Sequence, residues 1–291
     1  MSEAAVVPDV SRAYAHCAEI ARASGSSFLA TFWMFPREER RALHAIYAFC
    51  RLADDIADDP AVSGDRGRLL ERWRGELDAA YLGKARHPVG VALGDAAHRF
   101  RLPQRWFVDL LAGIEADLRG QPIESFGDLE RYCYCVASTI GLLVVRVRGM
   151  QGAAVEGYAR NLGIAVQLTN VLRDVGADAA AGRVYLARED MERMAVAPEA
   201  LTGRELTEEL RLLLALYAER ARIRYERAQG LLPGELRSAL RPAQAMGAIY
   251  RDLLETLQAR GFPCLTESLR LSKARRLAIA ARVWLGVGVA A

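Results

Sequence analysis

The sequence predicts an all-α fold, and three observations predict it. Ala, Leu, Arg and Glu dominate the chain, and all four are good helix formers. Apolar residues recur at spacings of three and four. β-branched runs and strict apolar/polar alternations are few. With 291 residues, 52% of them hydrophobic, the chain can bury a sizeable core. The Gly- or Pro-containing breaks are short and no long linker interrupts them, so one domain over residues 1–291 is expected.

The elements follow in order from caps and periodicity. Helices are expected at roughly 9–23, 37–58, 65–82, 88–100, 103–117, 126–147, 153–179, 205–229 and 234–259, with a last one from about 266. Pro36 is placed at a first helical position, with Glu38 and Glu39 in the first turn, where acids suit the helix dipole. Pro103 and Pro198 look similar. Ser125-x-x-Asp128 and Thr202-x-x-Glu205 read as capping boxes.

Charge and cysteine content exclude several classes. Lys and Arg number 39 against 36 Asp and Glu, a net charge of +3, so no nucleic-acid partner is expected. Five cysteines without a CxxC spacing point to buried thiols in a reduced, cytoplasmic setting. The segment MSEAAVVPDVSR lacks the basic and apolar regions of a signal peptide. The longest apolar run, Val136 to Val145, stops at Arg146 and is too short to span a bilayer.

The end of the second helix is the most informative segment. Asp54, Asp55, Asp58 and Asp59 lie within six residues, just before Pro60. Asp54/Asp58 and Asp55/Asp59 are like-charge pairs, each costing ~0.2–0.5 kcal/mol in a bare helix. Asp is also a mediocre helix former, and acids are unfavourable at the negative end of the dipole. A bound cation reverses these charge penalties. The apolar stripe Leu43, Ile46, Tyr47, Cys50 continues at helical spacing to Asp54 and Asp58, which should point inward, with Asp55 and Asp59 nearer solvent. The bland alternative is a solvated acidic helix end.

A second segment weighs against that alternative. In Gln167-Leu-Thr-Asn170-Val-Leu-Arg173-Asp174-Val-Gly-Ala-Asp178, the residues Asn170, Asp174 and Asp178 share one helical face, with Gln167 adjacent. Arg183 and Tyr185 follow shortly after. Carboxylate and amide oxygens are hard ligands suited to Mg²⁺, which completes its shell with water and substrate phosphates. Two Asp-x-x-x-Asp pairs with arginines beside them therefore suggest a diphosphate carried on metal ions. Other chemistry fits poorly. None of His16, His44, His87 and His98 follows a Glu by three residues, as a carboxylate-bridged di-iron bundle needs. EF-hand spacing, a Walker A loop, a strand-linked G-x-G-x-x-G and a G-x-S-x-G elbow are all absent from the sequence.

These stretches resemble the squalene/phytoene synthase family. The resemblance rests on Ser26-Ser27-Phe28, on Ala45-Ile-Tyr47-Ala-Phe-Cys-Arg51-x-x-Asp54-Asp55-Ile-Ala-Asp58, on Tyr132-Cys-Tyr-Cys-Val-Ala-Ser-Thr-Ile-Gly141, and on Gln167 through Leu186. They come in the family's order and spacing over most of the chain. The resemblance implies an all-α isoprenoid-synthase bundle around a central cavity. It implies that Asp54, Asp58, Asn170, Asp174 and Asp178 hold Mg²⁺ (or Mn²⁺) and diphosphate. Ser27, Arg51, Arg173 and Arg183 would contact phosphate. Tyr47, Tyr132 and Tyr185 would line the reacting end, and Phe28 and Gln167 the cavity.

Val136-Ala-Ser-Thr-Ile-Gly141, Val145 to Met150 and Leu269 to Leu277 look most like the members that join two farnesyl diphosphates into presqualene diphosphate for hopanoid and squalene synthesis. NADPH is then not expected. Phytoene synthesis from two geranylgeranyl diphosphates and a complete NADPH-dependent squalene synthase are the alternatives, and a helical interaction protein on the same scaffold is the non-enzyme rival. Two departures stand out: Ala177 where many members have Glu, and Ala187 where Pro is common.

Other residues have simpler readings. His44 lies off the Asp54 stripe and suits packing or the surface. Trp33, Trp73 and Trp106 are expected in the core. Residues 270–282 carry Arg270, Lys273, Arg275, Arg276 and Arg282 without an acid, in a basic amphipathic C-terminal helix. It is either a solvated helix or a peripheral contact with anionic lipid.

Overall fold

The structure, a computed structural model, describes residues 9–24, 27–59 and 61–286. Among the described residues there is no β-strand. The helices are α1 (Val10–Ser24), α2 (Arg37–Asp58), α3 (Arg66–Tyr81), α4 (Pro88–Phe100), α5 (Gln104–Leu118), α6 (Phe126–Cys133), α7 (Thr139–Val147), α8 (Ala153–Ala180), α9 (Arg188–Arg193), α10 (Glu208–Leu231), α11 (Arg241–Ala259) and α12 (Lys273–Trp284). The all-α prediction holds.

Several boundaries differ from the sequence reading, each for a local reason. Pro36 and Pro103 are caps rather than first helical residues, because their extended ψ angles, 156° and 123°, lie outside the helix. Ser125 and Asp128 form the expected capping box. Thr202 and Glu205 do not. Thr202 ends a short 3₁₀ turn, and Thr207 caps α10 by accepting from the Leu210 N–H. The expected helix at 234–259 is a 3₁₀ turn, Gly234–Leu236, followed by α11. The last helix starts at Lys273, where the Ser272 hydroxyl accepts from the Arg275 N–H. Between α6 and α7 the backbone widens into a π-helical turn, Tyr134–Ser138. A pattern read at 3.6 residues per turn passes over such a turn.

The chain divides into two compact units. The first comprises Met1–Arg119 and Leu142–Gln151. Its centre is α2, whose buried residues include Leu43, Ile46, Phe49 and Cys50. Phe49 stacks on Trp73 at 5.1 Å and meets Phe107 edge-on at 5.5 Å. The Trp73 indole N–H donates to the Phe49 carbonyl at 3.1 Å, so the large ring is buried without an orphaned donor. Trp106 is buried as well. Trp33, expected in the core, is 56% exposed. It lies on a 3₁₀ helix, Ser27–Met34, where three residues per turn spread an apolar stretch around the axis. His44 packs against Phe32 with ring centroids 5.6 Å apart, as a packing residue.

The second unit comprises Gly120–Gly141 and Gly152–Ala291. Helices α8 and α10 form its main pair. In their core the hydroxyls of Thr169 and Tyr225 hydrogen-bond at 3.0 Å. The π turn lies directly against α8. A Cβ on Gly163 would stand 2.5 Å from the Ser138 Cα and 2.6 Å from its N, so only glycine admits this approach. Ser138 is fully buried and its hydroxyl donates to the Arg160 carbonyl at 2.7 Å. All five cysteines are free thiols.

Candidate active site

In the first unit the candidate residues occupy the last turns of α2. Tyr47 is half-buried, and Arg51 forms an ion pair with Asp55 at 2.7 Å. The sequence reading put Asp55 and Asp59 nearer solvent than Asp54 and Asp58. The structure reverses this: Asp54 and Asp58 are the more exposed pair. Asp55 is covered by its pairing with Arg51. Asp59 turns back on the chain, accepting from the Ala61 N–H at 2.8 Å. Arg66 donates to the carbonyls of Ala57 and Asp59, placing a cation at the negative end of the α2 dipole.

Asp54 is reached by solvent and yet surrounded by protein, the combination found in a recess. Desolvation raises its carboxyl to about 7, from an ordinary 3.8. The charge of Asp58 adds to the shift, Arg51 opposes it, and Asp55 and Asp117 add further. Asp117, on α5, is a residue that the sequence reading missed, because only folding brings α5 to this end of α2. Ser27 and Phe28 open the 3₁₀ helix Ser27–Met34, but their side chains, like all of Ser26, lie outside the described residues.

In the second unit α8 carries Gln167, Asn170, Arg173, Asp174 and Asp178, all of them half-buried. Arg173 grips Asp174 through two hydrogen bonds, Nε to Oδ1 at 2.8 Å and Nη2 to Oδ2. Burial alone would lower the guanidinium's pKa. The hydrogen bond and charge of Asp174, with those of Tyr250, outweigh burial and raise it. The Ser268 hydroxyl also donates to Asp174 Oδ1, at 3.3 Å. Tyr250 and Ser268 stand 77 and 94 residues along the chain from their partners, and no local spacing announces them. After Asp178 the chain turns through Gly182, at φ +78°, and the Arg183 N–H donates to the Asp178 carbonyl at 2.8 Å.

Tyr132 and Tyr185, two of the three tyrosines that the resemblance groups, meet directly. Their rings stack with centroids 4.9 Å apart and planes 21° from parallel. Tyr132 stands at the end of α6, just ahead of the π turn. Tyr185 is held by the segment that follows it. The Ala187 N–H donates to the Tyr217 hydroxyl at 2.8 Å, and that hydroxyl donates to Asp190 Oδ2 at 3.0 Å. Asp190 is wholly buried. Desolvation raises its carboxyl, but Arg220 and Tyr217, with the charge of Arg193, bring it below the usual carboxylate range. Proline at Ala187 would lack the N–H that this anchor uses.

The residues present suit a hard divalent cation. Asn170 Nδ2 donates to Gln167 Oε1 at 3.2 Å, which orients the amide. Its Oδ1 is buried and has no hydrogen-bond partner. An orphaned buried acceptor is costly unless something satisfies it, and it lies one turn from the Asp174 carboxylate. Among the described residues no three His, Cys, Asp or Glu side chains form a closed cage. Mg²⁺ commonly binds through one or two carboxylates and takes its other oxygens from water and phosphate.

Comparison with known proteins identifies the family and the fold. Residues 21–276 match the family described as squalene/phytoene synthase. A chloroplastic phytoene synthase of Narcissus pseudonarcissus is 34% identical over 274 residues, covering 91% of this chain and 64% of that protein. The chain thus spans just under two thirds of that relative. Phytoene synthase 2 of Solanum lycopersicum is 34% identical over 92% of this chain and 88% of its own. Among solved structures, a dehydrosqualene synthase in complex with a ligand superposes with a TM-score of 0.83 at 30% identity, covering 94% of this chain and 96% of its own. Squalene synthase HpnC from Alicyclobacillus acidocaldarius gives 0.80 at 26% identity, over 88% and 97%.

Proposed function

The chain belongs to the squalene/phytoene synthase family, and from that premise we propose that it condenses two farnesyl diphosphates head to head into presqualene diphosphate. The observation that carries the reading is Asn170 Oδ1, a buried acceptor without a partner, beside Asp174 on the face that also bears Asp178. The similarity to a dehydrosqualene synthase and to a squalene synthase supports C15 chemistry.

Asp54 and Asp58 would hold Mg²⁺ in the first unit, and Asn170, Asp174 and Asp178 in the second. When bound, the metal neutralises the diphosphate leaving group. Arg173, which pairs with Asp174 in this structure, would turn to phosphate, where its planar fork suits the oxygens. Arg51, Arg183 and Ser27 would add phosphate contacts. The allylic C–O bond of one substrate breaks and diphosphate departs. The stacked faces of Tyr132 and Tyr185, with Tyr47, would stabilise the allylic cation, by ~1–2 kcal/mol each when water is excluded. The double bond of the second substrate attacks that cation. Loss of a proton, to the released diphosphate or to a hydroxyl such as that of Tyr132, closes the cyclopropane ring. Gln167 and Phe28 would line the chain-binding wall. NADPH plays no part in these steps.

The 34% identity to phytoene synthases favours a second reading, condensation of two geranylgeranyl diphosphates. Incubation with Mg²⁺ and each substrate, with and without NADPH, decides between them. Presqualene diphosphate from the C15 substrate is the expected product. Phytoene from the C20 substrate would replace the first reading with the second, squalene formed only with NADPH would extend the reaction, and no diphosphate release from either would overturn the enzyme reading.

Among the described residues no helix is long and apolar enough to cross a membrane. Peripheral contact belongs to the same proposal. Leu277 and Leu285 are 65% and 73% exposed, Trp284 is 42% exposed, and Arg270, Lys273 and Arg282 are exposed nearby. Apolar side chains beside cations suit an anionic lipid surface. Flotation on anionic vesicles, lost in a Leu277→Glu/Leu285→Glu variant, is the expected outcome. Equal flotation of both proteins would sink this contact.

A further inference from the structure

The second unit contains a cavity of about 360 Å³ with walls from α8, α10, α11 and α12. It is not the aspartate site. Tyr158 and Leu162 line it from α8, and at 3.6 residues per turn they lie between about 80° and about 160° around that helix from Asn170 and Asp174. None of Gln167, Asn170, Arg173 and Asp174 borders it. Its size falls within the ordinary range of small-molecule sites.

The lining has two kinds of surface. Leu162, Leu232 and Val283 supply apolar wall, and Arg237 and Arg251 supply guanidinium groups. Arg251 shares its charge with Glu255 at 3.4 Å. The Arg237 side chain has no acidic partner among the described residues. One net positive charge therefore remains beside a largely apolar space. A further observation points to a ligand. Tyr158 is 97% buried, yet its hydroxyl makes no hydrogen bond to any described residue, and Tyr158 borders this space. The buried side-chain atoms left unpaired do not include its oxygen, so the hydroxyl keeps contact with the open space that it borders. Tyr225, on the same wall, already has Thr169. A partner for the Tyr158 hydroxyl can come from the cavity.

We infer that this cavity is a second binding site, for an amphiphilic anion: one apolar chain ending in a carboxylate or a phosphate monoester. The chain would replace water along the leucines. The head group would meet Arg237 and Arg251, and an oxygen would accept from Tyr158. The inference does not depend on the reaction proposed above.

Calorimetric titration of the full chain with decanoate and with decyl phosphate tests it. One molecule of at least one of them should bind per chain, and which head group binds more tightly identifies the class. Decyltrimethylammonium should bind at least about tenfold more weakly. Ala248→Phe, which fills the space from α11, should weaken binding about tenfold or more, as should Arg237→Gln/Arg251→Gln. Leu232→Trp is a second filling variant should Ala248→Phe melt at a lowered temperature. Asp54→Asn/Asp174→Asn should bind as the unaltered chain does. Equal binding by the filled variants and the unaltered chain would overturn the inference. So would loss of binding in the aspartate variant, absence of binding by both anions, or equal affinity for the cationic chain.

Discussion

The Ala187 N–H donates to the Tyr217 hydroxyl at 2.8 Å, in a part of the chain where both residues are buried. That one bond ties the segment after Tyr185 to α10. Because the same hydroxyl donates to buried Asp190, it joins the backbone to a charged hub that also includes Arg220 and Arg193. Tyr217→Phe removes the hydroxyl and leaves a buried N–H unsatisfied. We expect a loss of about 1–3 kcal/mol in denaturant unfolding. Ala187→Pro should lose the same bond. A change under about 0.5 kcal/mol in both variants would show that the anchor contributes nothing.

Stacking of Tyr132 on Tyr185 presents π surface at the proposed reacting end. Tyr185→Phe keeps that surface and should keep turnover near normal. Tyr185→Leu keeps apolar bulk without it and should lower kcat by roughly 5–30-fold, the equivalent of about 1–2 kcal/mol. Equal rates in the two variants would show that ring faces play no part.

Asp54 has a raised carboxyl, about 7 against an ordinary 3.8. In metal-free protein the folded state therefore holds a proton that the unfolded chain releases, and stability falls as pH rises through that interval. Mg²⁺ competes with the same proton, so its stabilising shift in Tm should be larger at pH 8 than at pH 5. Asp54→Asn should flatten the metal-free pH dependence, raise Tm at pH 8, and cut turnover about a hundredfold or more. A variant with an unchanged pH–Tm profile would contradict the desolvated placement of Asp54.

Gly163 faces the backbone of Ser138 too closely for a side chain. Gly163→Ala should cost about 1–3 kcal/mol, measured by thermal or urea unfolding. Ser138→Gly should not rescue it fully, because it removes the hydroxyl contact at 2.8 Å and leaves Cα and N at 2.5 and 2.6 Å. Full rescue would place the strain in the Ser138 side chain instead.

Most helices were legible because their cause is local. The stripe Leu43, Ile46, Cys50 and the Ser125–Asp128 box act within a turn or two, so spacing alone reveals them. The errors also have local causes. Thr202 and Thr207 are both capping residue types, and only backbone geometry distinguishes which one starts α10. The π turn at Tyr134–Ser138 breaks the period on which the reading depends. In the site, the paired aspartates and their arginines were visible as runs, whereas Asp117, Tyr250 and Ser268 were not.

The sequence by itself determined that this chain is helical, where nearly every helix lies, and which carboxylates are grouped by helical spacing. Those properties follow from interactions between residues a few positions apart. Only the tertiary structure decided that desolvation raises the Asp54 carboxyl to about 7 and that Asn170 has an acceptor left over. It also decided that Asp174 is shared among Arg173 and Ser268. Desolvation and hydrogen-bond satisfaction depend on every atom that surrounds a group, and most of those atoms come from distant parts of the chain.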